Sequence, residues 1–324
     1  MKRLSQPLFW ARETKFILFG LGPEQTSLRG VWILAVVFFG SLAIAAILTP
    51  CFYWLAEGWD SRTGSELTLW LHDEGIARTF DLVRLVMIAL ALPLLLRACW
   101  SVPPRRLPLN LSALRAWTLT YVIGLGLIAA LAVMQLAFAP ASPRPDSYSM
   151  AKLLQQLTTS SFVGLFEEII FRGIILSIFY TSTRRPWLAL VLTSASFAYA
   201  HFKIPTVILM HADQNVNWLT GWAAAYWTLF GITADFDLAN FSSLFLLGMV
   251  LGALRLRSAT LWPAIGLHSG MVMGILVYND LYLMETKNLG VFWGTTSLVD
   301  GWAAATALIL TLLCLVLWPR KASP

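Results

Sequence analysis

The chain has 324 residues, 58% of them hydrophobic and only 12% charged, with a mean hydropathy of +0.70. That composition excludes a soluble globular domain and indicates an integral membrane protein. The net charge of +6 does not mark a nucleic-acid surface, because Lys and Arg are scattered through short loops beside apolar stretches rather than gathered on one face.

Charge-poor runs of bilayer-spanning length occur at about 31 to 54, 82 to 100, 117 to 139, 155 to 179, 187 to 205, 241 to 254, 260 to 278 and 302 to 318. They predict an all-α polytopic bundle of about eight transmembrane helices. Lys2, Arg3, Arg12, Lys15 and Arg29 precede the first run, and Arg105 and Arg106 follow the second. Arg184 and Arg185 follow the fourth, Arg255 and Arg257 the sixth, and Arg320 and Lys321 the eighth. The intervening loops carry acids instead: Asp60, Glu66, Asp73 and Glu74, then Asp146, then Asp213, Asp235 and Asp237, then Asp280, Glu285 and Asp300. By the positive-inside rule both termini are cytoplasmic. The first run is too long, and starts too far from Met1, for a cleaved signal peptide, and is expected to be a permanent anchor.

Residues 218 to 234 are also uncharged. A crossing there would place Asp235 and Asp237 with the basic loops, so an interfacial or re-entrant segment is expected, with Trp218, Trp222 and Trp227 at the headgroup boundary. The chain then divides into a cytoplasmic segment (1 to 30), N-terminal transmembrane helices (31 to 150), a core (151 to 280), and a loop with the last helix (281 to 324). Pro-rich pieces at 103 to 108 and 140 to 145 are the expected linkers. Cys51, Cys99 and Cys314 lie in or beside apolar runs without paired spacing and predict no disulfide framework.

The most informative feature is the stretch Phe-Glu-Glu-Ile-Ile-Phe-Arg-Gly at 166 to 173. An ionised residue at a bilayer midplane costs roughly 2.5 to 3.5 kcal/mol on insertion scales, so Glu167, Glu168 and Arg172 together imply a polar cavity within a bundle. On a helix Glu168 and Arg172 are i and i+4 and share a face, while Glu167 points about 100° away. One carboxylate can thus be held by the arginine while its neighbour faces a cavity. Two histidines also lie within apolar runs, His201 in Phe-Ala-Tyr-Ala-His and His268 in Leu-His-Ser-Gly-Met, and they are expected to share that cavity. His72 and His211 fall in predicted outer loops as solvated residues. Carboxylate and imidazole in a partly dry site point to general acid–base chemistry, and hydrolysis is the natural reading. Glu167, His201 and His268 would also make a zinc set with an open fourth position, although His-Glu-x-x-His is absent.

Glu-Glu-x-x-x-Arg on one helix, Phe-x-x-x-His on the next and a later membrane histidine resemble the CPBP family, which includes the CAAX prenyl endopeptidases and bacterial Abi-type membrane proteins. The resemblance covers about residues 150 to 280. It implies an intramembrane endopeptidase in which Glu167 activates water, Glu168 and Arg172 organise it, and His201 and His268 complete the catalytic set. The implied partners are the bilayer and a membrane-associated protein or peptide substrate, such as a CAAX-like, leader or sorting-tail segment. No nucleic acid and no cofactor are expected, with zinc as the alternative. A bacterial inner membrane is the expected location. The chain departs from the family at Val272, where the last motif usually places Asn or Asp, so His268 would need another donor such as Ser269 to stabilise an oxyanion. The interval from His201 to His268 is also long for the family, with the surplus at 218 to 234. A non-enzymatic immunity or partner-binding scaffold is the reading from a different class, and a proton-relay transporter a third.

Overall fold

The computed structural model describes residues 28–63, 75–99, 109–138, 141–144, 149–201, 216–234, 236–258, 260–284, 289–295 and 297–317. His72 and His211, the linker at 103 to 108 and the termini lie outside the described residues. Helices dominate: α1 (Arg29–Thr63), α2 (Gly75–Cys99), α3 (Leu111–Phe138), α4 (Met150–Glu168), α5 (Leu176–Thr183), α6 (Pro186–His201), α7 (Trp218–Ala234), α8 (Leu238–Ser258), α9 (Trp262–Leu281), α10 (Gly290–Trp293) and α11 (Trp302–Leu317). A π-helical segment, Ile169–Ile175, joins α4 to α5 without a break. The protein is an all-α membrane bundle. The described residues of the eight apolar runs are almost entirely helical, the fourth run extending over α4, the π segment and α5. Among the described residues three helical stretches, Arg29–Trp59, Leu111–Phe138 and Leu238–Ser258, are long and apolar enough to cross a bilayer by length and composition.

Residues 218 to 234 form a regular 17-residue helix, α7. Within 140 to 145, residues 141 to 143 form a short strand rather than a plain linker. It pairs antiparallel with Tyr282–Met284, with Ser142 opposite Leu283.

The described residues fall into two compact units. One draws on Ser101–Ala198 and Asp237–Pro324, the other on Ser27–Trp100 and Tyr199–Phe236. In the second unit α1, α2 and α7 bury Leu42, Ala45, Ala46, Phe80, Ala224 and Ala225 against one another. Trp218 of α7 meets Trp54 of α1 edge to face at 5.1 Å. The Tyr199 hydroxyl donates to the carbonyl of Leu229 in α7 at 2.7 Å.

In the first unit α9 is the central element, buried almost continuously from Pro263 to Gly274. Gly266 and Gly270 recur four residues apart and lie directly on the backbone carbonyls of Trp117 and Tyr121 in α3. Small residues at this spacing let membrane helices approach closely where no hydrophobic driving force exists between them. The far ends of α4 and α9 are tied by polar contacts. Lys152 pairs with Asp280 at 3.0 Å, and Gln156 donates to the same carboxylate. Buried Gln135 of α3 accepts from the Tyr278 hydroxyl at 2.6 Å and donates to the carbonyl of Thr295 at 3.3 Å, so both ends of this buried amide are satisfied.

Because α7 is helical, topology is set by whether it crosses the bilayer. In a background lacking Cys51, Cys99 and Cys314, single cysteines beside Arg105, Arg184 and Arg257 should label from one side, and those beside Asp73, Asp213 and Glu285 from the other. Same-side labelling at 257 and 285 would instead make α7 a crossing.

Candidate functional site

Glu168 is the last residue of regular α4, and the chain widens immediately afterwards into the π-helical turn containing Arg172. The Leu176 amide donates to the Phe171 carbonyl, five residues back, where a regular helix reaches back four. The Ser177 hydroxyl donates to the Gly173 carbonyl at 2.6 Å within this turn. The expected i, i+4 pair forms across the junction: Arg172 Nη1 lies 2.7 Å from Glu168 Oε1, with both side chains fully buried.

Two other elements complete the surroundings of the arginine. Its Nη2 donates to the Gly248 carbonyl of α8 at 3.3 Å. The Phe197 ring of α6 lies under the guanidinium at 4.5 Å, a cation–π contact worth on the order of 2 kcal/mol when desolvated. Gly248 is required for this approach, since a Cβ there would come within 2.9 Å of the Ser194 backbone. Leaving such a pair without neighbouring partners would expose two charges to an apolar interior, so the ring and the carbonyl matter as much as the salt bridge.

His268 enters from α9. Its Nδ1 lies 2.9 Å from Glu168 Oε1, its Nε2 lies 3.8 Å from Glu167 Oε2, and its ring meets Phe197 edge to face at 6.0 Å. The two adjacent carboxylates therefore occupy different environments. Glu168 is fully buried and shared between Arg172 and His268, whereas the Glu167 side chain is 26% exposed. A residue-to-residue rotation of 100° on α4 separates them, as the sequence implies.

The structure thus gathers Glu167, Glu168, Arg172 and His268 in one unit. His201 closes α6 one turn beyond Phe197 and falls in the second unit. Ser269, the candidate substitute donor, is fully buried against Gly164 of α4, and its hydroxyl has no hydrogen-bond partner among the described residues. Val272 is half-buried one turn beyond His268. Among the described residues no group of three His, Cys, Asp or Glu side chains is arranged to hold a metal ion.

Sequence reasoning did not single out Phe197 as a shelf for Arg172, nor the Gly248 carbonyl or the π turn. Phe197 was visible as the first position of Phe-x-x-x-His. The Gly248 carbonyl had no signal, because every residue has one.

Comparison with curated proteins and with solved structures gives no match. Residues 149–274 match the family described as Type II CAAX prenyl endopeptidase Rce1-like. The matched stretch begins at the cap of α4, ends within α9, and contains all four clustered residues together with His201. Residues 149–274 of this membrane protein are thus similar to the Rce1-like family of type II CAAX prenyl endopeptidases, and the match supports a CAAX-type membrane peptidase.

Proposed function

We propose that Glu167 is the general base in hydrolysis of a peptide bond close to or within the membrane. The observation that carries the reading is the inequality of the two carboxylates: Glu168 is consumed by Arg172 and His268, while Glu167 stays partly open beside His268 Nε2. A base must be reachable by the water that it deprotonates, and a buried, doubly engaged carboxylate is not.

In the proposed reaction Glu167 takes one proton from water as the water oxygen bonds to the scissile carbonyl carbon and the carbonyl electron pair moves onto its oxygen. The tetrahedral intermediate collapses with cleavage of the C–N bond, and the proton held by Glu167 passes to the leaving amine. His201 is assigned as its partner in handling the water and the amine. Glu168 and Arg172 organise the site, their pairing being the support for that role. The substrate is a CAAX-like segment, a leader or a C-terminal sorting tail of a membrane-associated protein. The proposed setting is a bacterial inner membrane with both termini cytoplasmic, on the strength of the basic loops.

The proposed chemistry is metal-free, so cleavage should persist in EDTA or phenanthroline. Loss of activity that zinc restores would replace it with the zinc form, in which Glu167, His201 and His268 are the ligands.

Glu167→Gln keeps volume and hydrogen bonding but removes the base. Cleavage of a prenylated CAAX peptide by the purified chain should fall about 100- to 10,000-fold with little change in thermal stability. Arg172→Ala should behave differently, because it leaves Glu168 buried without its cation. Breaking such a pair typically costs about 3 to 5 kcal/mol, so abundance and activity should fall together on a membrane immunoblot. Full activity in well-folded Glu167→Gln would defeat the assignment.

A further inference from the structure

Residues 289 to 301, between α9 and α11, hold one charged side chain, Asp300, among Leu289, Val291, Phe292, Trp293, Leu298 and Val299. A loop that stands in water is ordinarily rich in polar residues. Two side chains from neighbouring helices fix where the described part of this segment lies, Gln135 in the last turn of α3 and Ser243 in the second turn of α8. It closes the end of the first unit at which α3 and α9 finish and α8 and α11 begin.

The polar groups of the segment turn inward. Gln135 donates to the carbonyls of Trp293 at 3.4 Å and Thr295 at 3.3 Å, and the Ser243 hydroxyl donates to that of Gly301 at 3.0 Å. The Asp300 carboxylate accepts from the Thr295 amide at 2.9 Å and from the Thr295 hydroxyl. The Leu289 and Gly294 amides donate to the carbonyls of Gly294 and Gly290, at 2.9 and 2.7 Å. Polar groups partnered by protein in this way can leave water at little cost. The apolar side chains turn outward instead: Val291 and Phe292 of α10 are 68% and 54% exposed, and Trp293 stacks on the exposed ring of Phe138 at 5.5 Å.

We infer that α10 and its flanking residues are an in-plane membrane element rather than an aqueous loop, with Val291 and Phe292 inserted among the acyl chains and Trp293 and Trp302 at headgroup level. Lipid is the occupant of this face because the exposed surface continues through Phe138 into Val133 and Met134 of α3, a helix long and apolar enough to cross the bilayer. Charge selects the kind of attraction. The segment has no Lys or Arg and its one carboxylate is engaged by Thr295, so apolar burial holds it in place and anionic headgroups are not required. Gln135 has a specific part in this: its amide covers two carbonyls that would otherwise call for water. The inference is independent of the peptidase reading.

The test uses the full chain, lacking Cys51, Cys99 and Cys314, in phosphatidylcholine nanodiscs that each hold one copy. Nitroxides are attached at Val291→Cys and, separately, Phe292→Cys, both exposed positions whose replacement disturbs no buried contact. Collision with oxygen should exceed collision with a water-soluble nickel chelate at both, at a depth of about 5 to 10 Å past the headgroup boundary. The depth should be the same when a third of the lipid is phosphatidylglycerol. Adding Gln135→Leu should bare the two carbonyls and raise nickel access at residue 292 several-fold, while circular dichroism reports unchanged helix content. Preferential access of the nickel chelate in the Gln135 protein would show a loop in water and overturn the inference. Low access of both reagents would mean that protein covers the face, and insertion seen only with phosphatidylglycerol would mean headgroup attraction; either result overturns it as well. Unchanged depth in Gln135→Leu overturns the part assigned to that amide.

Discussion

A fully buried Glu168–Arg172 pair sits inside an apolar helix bundle, and the desolvation of two charges makes it tolerable only when every neighbour cooperates. The pair itself is local in sequence, yet its further contacts come from elsewhere. Gly248 of α8 offers a carbonyl, Phe197 of α6 a ring face, and His268 of α9 a ring nitrogen. Three separate helices are thus committed to positions around one guanidinium–carboxylate contact. Moving any of them would strand a buried charge, which is why the pair acts as a registration point for the whole unit.

The same pair divides the labour between neighbouring glutamates. Glu168 is fully buried between Arg172 and His268, and the Glu167 side chain is partly exposed, its Oε2 3.8 Å from an imidazole nitrogen. The π turn beginning at Ile169 accommodates this arrangement by widening the helix where Arg172 must reach both its own glutamate and α8. Such turns cost regular hydrogen bonding and are found frequently at functional sites. Close approach of α9 matters equally. Gly266 and Gly270 seat it on the α3 backbone, and Gly164 lets Ser269 pack on α4, so that the adjacent His268 reaches Glu168.

The family-matched stretch, residues 149–274, draws residues from both units. It includes α7, which packs with α1 and α2, whereas α4, α8 and α9 belong to the unit that contains the glutamates. Each unit has its own apolar interior. Phe197 of α6 faces Arg172 and His268, and residues from Tyr199 on are counted with the second unit.

The amino-acid sequence by itself determined what depends on composition and local spacing. The apolar runs had to become helices, because a bilayer leaves no other means to satisfy backbone polar groups within one segment. Glu168 and Arg172 had to pair, and Glu167 had to diverge from them, because four residues make about one turn. Tertiary structure alone decided that Glu168 is also the partner of His268, one hundred residues later, and that Ser269 faces α4. It alone decided that the helix widens at Ile169. It also showed 218 to 234 as a regular helix packed with α1 and α2. The physical reason is the same in each case. Periodicity fixes which side chains share a face, but which face meets which is settled by how closely backbones approach, and that depends on small residues distributed over distant helices.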